Sequence, residues 1–174
     1  MQQNPGVLTV SMAPDPLSVQ SLTLTSAKVP MLNVSIVGDV APDGRSMLAE
    51  VDLDPLAGAM DYSFSMLPQG VYSVVSFTLG AVIFEGTWRG MPLHIHTESD
   101  DHPQPTQLRA PASAEIGPGA DGAFTIAVDT NSWFANNLLD SATAVNGVIT
   151  IGDPQNELVS EQLNHRIAAS FSLK

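Results

Sequence analysis

The chain has no cysteine among its 174 residues. Disulfide frameworks, thiolate metal sites and cysteine nucleophiles are therefore excluded. Charged residues are also scarce, at 14% of the chain against roughly 25% in an average soluble domain. Six basic residues face 18 acidic ones, which leaves a net charge of -12. Because this charge repels phosphate backbones and anionic lipids, we expect no nucleic-acid partner and favour cations as small partners.

Long apolar runs are missing as well. No window approaches the roughly 20 apolar residues that a membrane-spanning helix needs, and the richest stretch, Val71 to Phe84, is interrupted by serine, threonine and glycine. We therefore expect no transmembrane segment. Residues Met1 to Gly6 carry neither the basic nor the apolar region of a signal peptide, as expected of a mature form.

Strand periodicity is what the sequence does contain. Apolar residues recur at every second position, in runs rich in valine, isoleucine, threonine and aromatics that glycine, proline, aspartate and asparagine separate. The length suits one domain. We predict an all-β fold, an antiparallel β-sandwich of about ten strands with two short helical insertions, as a single domain over residues 1–174. The predicted strands are Val7 to Met12, Val19 to Ser26, Leu32 to Val40, Ser46 to Leu53, Ala59 to Met66, Val71 to Leu79, Val82 to Trp88, Met91 to Thr97, Gly122 to Asp129, Val148 to Ile151 and Ile167 to Leu173.

The two helical insertions are predicted from capping signals. The first begins near Thr130 and carries Trp133, which we expect in the core. The second takes Asp153 as its N-cap and Pro154 as its first residue, and it runs to about His165. Its predicted buried stripe comprises Leu158, Val159 and Leu163. The segment from His102 to Pro111 is interpreted as a loop because it is rich in proline.

A two-residue turn at Arg89-Gly90 predicts a hairpin with a defined register. Pairing across the turn gives an inward face with Trp88 opposite Met91, Gly86 opposite Leu93 and Phe84 opposite Ile95. The outward face then has Glu85 opposite His94, Ile83 opposite His96 and Thr87 opposite Pro92. This register buries the large hydrophobic side chains and exposes the polar ones, so the two features of the sequence agree.

One constellation on the outward face has the residue types of a metal site. Residues two apart in a strand project from the same side, so His94, His96 and Glu98 form a row that allows two imidazoles to bind one ion. Asp101 and His102 follow in the next loop as further nitrogen and oxygen ligands, a set that suits copper or zinc. The simpler interpretation, which we rank first, is polar decoration of a solvent-facing strand with no cofactor.

Catalytic motifs are not found. The sequence contains no nucleophile elbow, no H-E-x-x-H, no dinucleotide-binding glycine motif and no P-loop. A zinc hydrolase would need a general base beside the metal, and Glu85 and Glu98 are the nearby candidates. We therefore expect a protein that is not an enzyme and keep a metal-dependent hydrolase as the last alternative.

Two stretches resemble a known group of proteins. The segment Leu67-Pro68-Gln69-Gly70-Val71-Tyr72, followed by a strand to Leu79, resembles the proline, glycine and tyrosine segment of secreted bacterial β-sandwich domains, many of them lipoproteins of unknown function. Phe124 to Phe134, with the helix and strand that follow, resembles their C-terminal half. The resemblance implies a sandwich fold and an exported location, and it assigns no site residue.

These observations lead to one functional expectation and, besides the hydrolase, one further alternative. We expect a non-enzymatic binding or surface-assembly module of bacterial origin that is secreted, periplasmic or associated with the outer membrane. Its partner would be a protein or a surface, self-assembly included, and an exposed sheet edge or loop cluster would be the working surface. The alternative is a metal-binding periplasmic or surface protein that uses the strand of His94 and His96.

Overall fold

The computed structural model describes residues 6–38, 45–47, 50–97, 105–117, 120–152 and 154–174. The chain is mostly β, and the described residues form thirteen strands, one α-helix and two 3-10 turns. The strands are β1 (Gly6–Pro14), β2 (Leu22–Gly38), β3 (Arg45–Met47), β4 (Glu50–Leu53), β5 (Met60–Leu67), β6 (Gly70–Leu79), β7 (Ile83–Trp88), β8 (Met91–His96), β9 (Thr106–Ile116), β10 (Gly122–Val128), β11 (Ala144–Val145), β12 (Val148–Ile151) and β13 (Phe171–Leu173). Helix α1 covers Glu157–Ala169, and the 3-10 turns cover Thr130–Ser132 and Leu138–Ser141. None of the helices in these ranges is long and apolar enough to cross a membrane.

The strands form two sheets. The four-stranded sheet has the order β13-β10-β1-β5, and the larger sheet has the order β11-β12-β8-β7-β2-β6-β9, with β3 and β4 also paired to β2. The predicted antiparallel arrangement is wrong for two pairs, because β1 runs parallel to β10 and β12 runs parallel to β8. Each parallel pair joins strands that are far apart in sequence, as parallel pairing requires a long crossover connection.

The core lies between the two sheets. Strand β1 alternates strictly, and Leu8, Val10 and Met12 are buried while the residues between them are half-buried. Phe77 of the larger sheet and Phe171 of the four-stranded sheet meet edge to face, with 4.9 Å between ring centroids. Such contacts join the two inner faces in one hydrophobic cluster, which is the geometry that alternating strands favour.

The predicted hairpin is confirmed in full. All six residue pairs between β7 and β8 have the predicted partners, from Trp88 opposite Met91 to Ile83 opposite His96. Arg89 and Gly90 both have positive φ values, 49° and 77°, as the favoured two-residue hairpin turn requires. Trp88 and Trp133 are both buried, which confirms their predicted place in the core.

The predicted break between two early strands is wrong, because β2 is one strand of 17 residues. Along one side it pairs first with β7, as far as Lys28, and then with β6, from Met31 onward. Pro30 lies in the gap between these ladders, where its carbonyl accepts a hydrogen bond from the Gly80 N–H. A proline is tolerated there because its missing N–H is not required by either ladder.

The predicted loop from His102 to Pro111 is wrong from Thr106 onward, because these residues begin strand β9. β9 pairs with β6, and Arg109 lies opposite Val74 while Ala114 lies opposite Tyr72. The residues between Arg109 and Ala114, Pro111 among them, therefore bulge from the ladder opposite a single residue of β6. Such a bulge accommodates a proline that a regular central strand would exclude.

The predictions for both helical insertions need correction. The first insertion consists of 3-10 turns, and α1 begins at Glu157 with Asn156 as its N-cap; Asp153 lies outside the described residues. Ile167 and Ala169, predicted as strand, form the end of α1, and only Phe171–Leu173 is extended. Leu158 is 72% exposed, contrary to prediction, while Val159 and Leu163 are buried as predicted.

Candidate functional site

His94 and His96 lie on the outer face of the larger sheet, as the hairpin register predicts. Both are exposed, while Ile95 between them and Leu93 before them are buried. His94 Nδ1 contacts Glu85 Oε2 on the neighbouring strand, and each of these side chains is about half exposed. The carboxylate therefore engages one imidazole nitrogen and leaves Nε2 of His94 for another partner.

The remaining predicted ligands, Glu98, Asp101 and His102, lie outside the described residues. Within the described ranges, no group of three or more histidine, aspartate or glutamate side chains could hold a metal ion. The structure thus brings together Glu85 and His94 and places His96 on the same face. The complete five-residue site stays a prediction.

The backbone around His96 is firmly held. Thr97, which follows it, is fully buried, and its Oγ1 accepts a hydrogen bond of 2.9 Å from the Val82 N–H. Strand β12 runs alongside β8, and Gly152 at its end approaches the His96 carbonyl so closely that a Cβ atom would overlap the oxygen. His96 is therefore carried by a rigid strand end, which is the better support for a binding side chain.

Strand β5 is a long sheet edge whose ladder with β1 has one register shift, between Leu67 and Phe64. Among the described residues it pairs with β1 alone. Its register is regular from Phe64 to Met60, and the strand contains no proline and no lysine. Proline and lysine are two of the devices by which proteins block edges; bulges and other charges are also used, and β5 has a register shift near Leu67 and the charged Asp61. The other long edge, β9, carries such a device in Pro111 and its bulge.

The direction of the β5 backbone groups follows from its neighbours. Asp15 N–H donates to Val128 O at the end of the parallel ladder, so the odd-numbered residues of β1 face β10 and the even-numbered ones face β5. Leu8 lies opposite Phe64 and Val10 opposite Tyr62, so these are the hydrogen-bonded pairs. The N–H and C=O of Ser63 therefore point away from β1, towards the open edge and in the plane of the sheet.

The outer face beside this edge is built of small side chains. It comprises Thr9, Ser11 and Ala13 of β1, Ala123, Thr125 and Ala127 of β10, Ser63 and Ser65 of β5 and Ser172 of β13. Asp61 is the charged exception within this part of the face, and its carboxylate accepts a 2.6 Å hydrogen bond from Ser11 Oγ. Among the described residues of this face, small side chains and Asp61 therefore lie beside the β5 edge.

Tyr62 of β5 projects the other way, towards the core between the sheets. Its ring lines a small apolar cavity with Val10 and Phe64 of its own sheet and Met31 and Val51 of the larger one. Burial and, to a smaller extent, the negative charge of Asp52 raise the pKa of its phenol. Both causes favour the neutral phenol over the phenolate.

A larger concave site was not predicted from the sequence. It is a pocket of about 540 Å³ beside the end of α1 and the start of β13. Arg166 and Asp129 are the charged residues among those that line it. No local motif marks it, because its walls come from two segments that lie far apart in the chain.

The whole chain was also compared with known proteins. No family model, characterised protein or solved structure matched it. The resemblance of Leu67 to Leu79 to secreted bacterial domains accordingly stays a prediction.

Proposed function

We propose that this chain is a non-enzymatic β-sandwich module that works outside the cytoplasm and binds an extended protein segment along the edge strand β5. The observation that carries the proposal is the edge itself: β5 pairs on one side among the described residues, and the N–H and C=O of Ser63 face outward. An added strand would satisfy these groups, which is the basis of peptide binding by strand addition.

The side chains at this edge suit a strand partner. Ser63 and Ser65 are small and exposed, so they do not obstruct a neighbouring chain. The net charge of -12 disfavours a second copy as the occupant, because two such molecules repel each other. We therefore propose a different protein, with an extended neutral or basic segment, as the partner.

The extracytoplasmic location is supported by the resemblance to secreted bacterial domains alone. The absence of cysteine is neutral on this point, since a domain of this size can be stable without disulfides in either redox environment. Fractionation of the native host, with detection of the chain in the periplasmic or surface fraction, tests the location. Recovery in the cytoplasmic fraction alone would refute it.

The edge proposal is tested with peptides selected from a display library against the whole chain. Ser63→Pro removes the outward N–H and leaves the hydrogen-bonded pairs with β1 in place, so we expect at least tenfold weaker peptide binding. Ser113→Pro, at an exposed position of the β9 bulge, is the matched control and should bind as the wild type does. Equal binding by Ser63→Pro, with both variants folded by circular dichroism, would overturn the proposal.

Self-association is examined with the same variant. We expect the wild-type chain to elute as a monomer at all concentrations in size-exclusion chromatography with light scattering. A wild-type dimer that Ser63→Pro abolishes would show that a second copy occupies β5 and would overturn the choice of a different partner.

A second candidate, metal binding on β8, is supported by the contact between Glu85 and His94. A carboxylate that accepts the Nδ1 proton fixes the tautomer in which Nε2 can bind a metal, an arrangement that is usual around protein metal sites. His94 and His96 would supply nitrogen ligands, and Glu98, Asp101 and His102 would complete the set around copper or zinc.

Metal binding is tested by calorimetric titration of the whole chain with copper and zinc at neutral pH. We expect micromolar or tighter binding that the double variant His94→Ala, His96→Ala loses. His165→Ala is the matched control, because His165 is an exposed histidine on α1 that pairs with Glu161 at 3.9 Å. Unchanged binding in the double variant, or none in the wild type, would reject this candidate.

A further inference from the structure

The pocket beside the end of α1 is large enough for a small molecule. Its volume of about 540 Å³ falls within the roughly 300–1,000 Å³ of typical ligand sites. It lies at the β13 side of the four-stranded sheet, the edge opposite β5. Its lining residues are Asp129, Ser132, Ala135, Asn136, Arg166, Ala169, Ser170, Phe171 and Ser172.

Several residues that line the pocket are fixed by hydrogen bonds within the protein. Ser170 is one of the lining residues and is buried; its Oγ accepts a 2.8 Å bond from Trp133 Nε1 and donates a 2.6 Å bond to Ile167 O. The Ser170 carbonyl accepts from the Asp129 N–H at 3.0 Å. Ser132 Oγ donates to the Asp129 carbonyl at 2.8 Å. A site fixed in this way needs little reorganisation to bind a ligand.

Arg166 gives the pocket its cationic group. The side chain is half-buried, and Nη1 donates to the Ala135 carbonyl. No salt bridge to Arg166 is formed within the described part of the chain, although acidic residues outnumber basic ones three to one in the sequence. A guanidinium has five donors, so most of them are left for a ligand. Two parallel N–H groups match a carboxylate.

Asp129 gives the same pocket an acidic group. Its side chain is exposed towards solvent, and the backbone around it is fixed by the two hydrogen bonds to Ser170 and Ser132. A carboxylate accepts hydrogen bonds and does not donate them, so it suits an ammonium or a hydroxyl group. Ser172 and Asn136 add polar atoms at the rim.

We propose that this pocket binds a small molecule that carries a carboxylate beside an ammonium or hydroxyl group. Arg166 binds the carboxylate, and Asp129 binds the neighbouring donor. Amino acids and sugar acids both have this chemistry, and they are distinguished by experiment. The pocket and the β5 edge lie on opposite sides of the sheet, so failure of one proposal leaves the other intact.

The probes are L-alanine, glucuronate, acetate and glucose, each added to the isotopically labelled whole chain and followed by amide chemical shifts in NMR spectra. We expect alanine and glucuronate to shift the signals of Ser132, Ala169 and Ser172 with saturation, acetate to do so more weakly, and glucose to have no effect. The probe that binds more tightly, alanine or glucuronate, shows whether the natural ligand is an amino acid or a sugar acid. No saturable shift with any carboxylate probe would overturn the proposal.

Variants assign the roles of the two charged residues. Arg166→Gln should weaken binding of the best probe about tenfold or more, since charged hydrogen bonds contribute about 1.5–3 kcal/mol. Arg166→Lys keeps the positive charge and loses the paired N–H groups of the guanidinium, so its affinity for the probe should be intermediate. Asp129→Asn should weaken the binding of alanine and leave the binding of acetate unchanged.

Arg109→Gln is the matched control, because Arg109 is an exposed arginine on β9 outside the pocket. It should bind as the wild type does. An equal loss in Arg109→Gln would show an effect of overall charge and would refute the assignment to Arg166. Thermal unfolding of each variant establishes that it is folded, and Arg166→Lys keeps the test decisive if Arg166→Gln fails to fold.

Discussion

Tyr72 gives a physical meaning to the segment that resembles secreted domains. The side chain is 1% exposed, and its hydroxyl donates a 2.7 Å hydrogen bond to the carbonyl of Pro68. Pro68 lies in the short connection between β5, in one sheet, and β6, in the other. The phenol therefore ties the crossing between the sheets to the start of β6, as tyrosine corners do in sandwich folds.

Removing this hydroxyl should destabilise the fold. Tyr72→Phe keeps the ring and leaves the Pro68 carbonyl without the phenol donor, so we expect the free energy of unfolding to fall by about 1–2 kcal/mol. Urea denaturation at neutral pH measures it, with Tyr62→Phe as the control that leaves the corner intact. A midpoint unchanged in Tyr72→Phe would contradict this role.

The raised pKa of Tyr62 predicts that the fold loses stability at alkaline pH. Its pKa is raised above the ordinary value of 10.0, so above that pH the unfolded chain releases the phenolic proton while the folded chain retains it. Stability is full below the unfolded pKa and falls as pH rises through the folded pKa. Tyr62→Phe should show a smaller fall between pH 9 and 11 in urea midpoints. A parallel fall in both chains would contradict the prediction.

The hairpin of β7 and β8 depends on a close approach to β2. A Cβ atom on Gly86 would overlap the backbone oxygen of Thr23, which the β2 strand holds in place. Gly86→Ala must therefore push the two strands apart, and we expect a loss of about 1–3 kcal/mol. Thr87→Ala, at the neighbouring outward position, is the control. Equal urea midpoints for Gly86→Ala and the wild type would refute the close packing.

Elements defined by local patterns could be predicted from the sequence. The hairpin has alternating residues and a two-residue turn, both short-range signals, and its register is correct. β9 was missed because its alternation is interrupted by Pro111 and its pairing with β6 is long-range. Ile167 fits two periods, the helical one with Leu163 and the strand one with Phe171, and the helix prevails because α1 buries both Leu163 and Ile167.

The candidate sites also differ in whether a local sequence pattern or long-range packing defines them. The outward positions of Glu85, His94 and His96 follow from the strand period, so the sequence predicts them correctly. The pocket of Arg166 could not be predicted, since tertiary packing joins residues 129–136 to residues 166–172. Trp133 and Ser170, which hold it together, are 37 positions apart. The β5 edge likewise depends on strand order, which no local pattern specifies.

At the scale of the whole molecule, the excess of acidic residues makes like charges repel each other. The net charge is -12, and the ion pairs that lysine and arginine form within the described ranges are exposed: Lys28 with Asp52 at 3.4 Å and Arg89 with Asp140 at 2.6 Å. Exposed pairs contribute at most about 1 kcal/mol each. We therefore expect repulsion among the acidic residues to outweigh local attraction, and this repulsion decreases when the chain unfolds and expands.

Salt should consequently stabilise this protein. Raising the ionic strength from about 0.01 M to about 0.15 M shortens the screening length from about 30 Å to about 8 Å. The long-range repulsion is then reduced more than the short ion pairs are. We expect sodium chloride to raise the melting temperature by a few degrees, measured by circular dichroism at neutral pH. Sucrose at equal osmolality is the control for effects that do not depend on charge. A melting temperature that falls with salt would mean that the ion pairs of Lys28 and Arg89 outweigh the net charge.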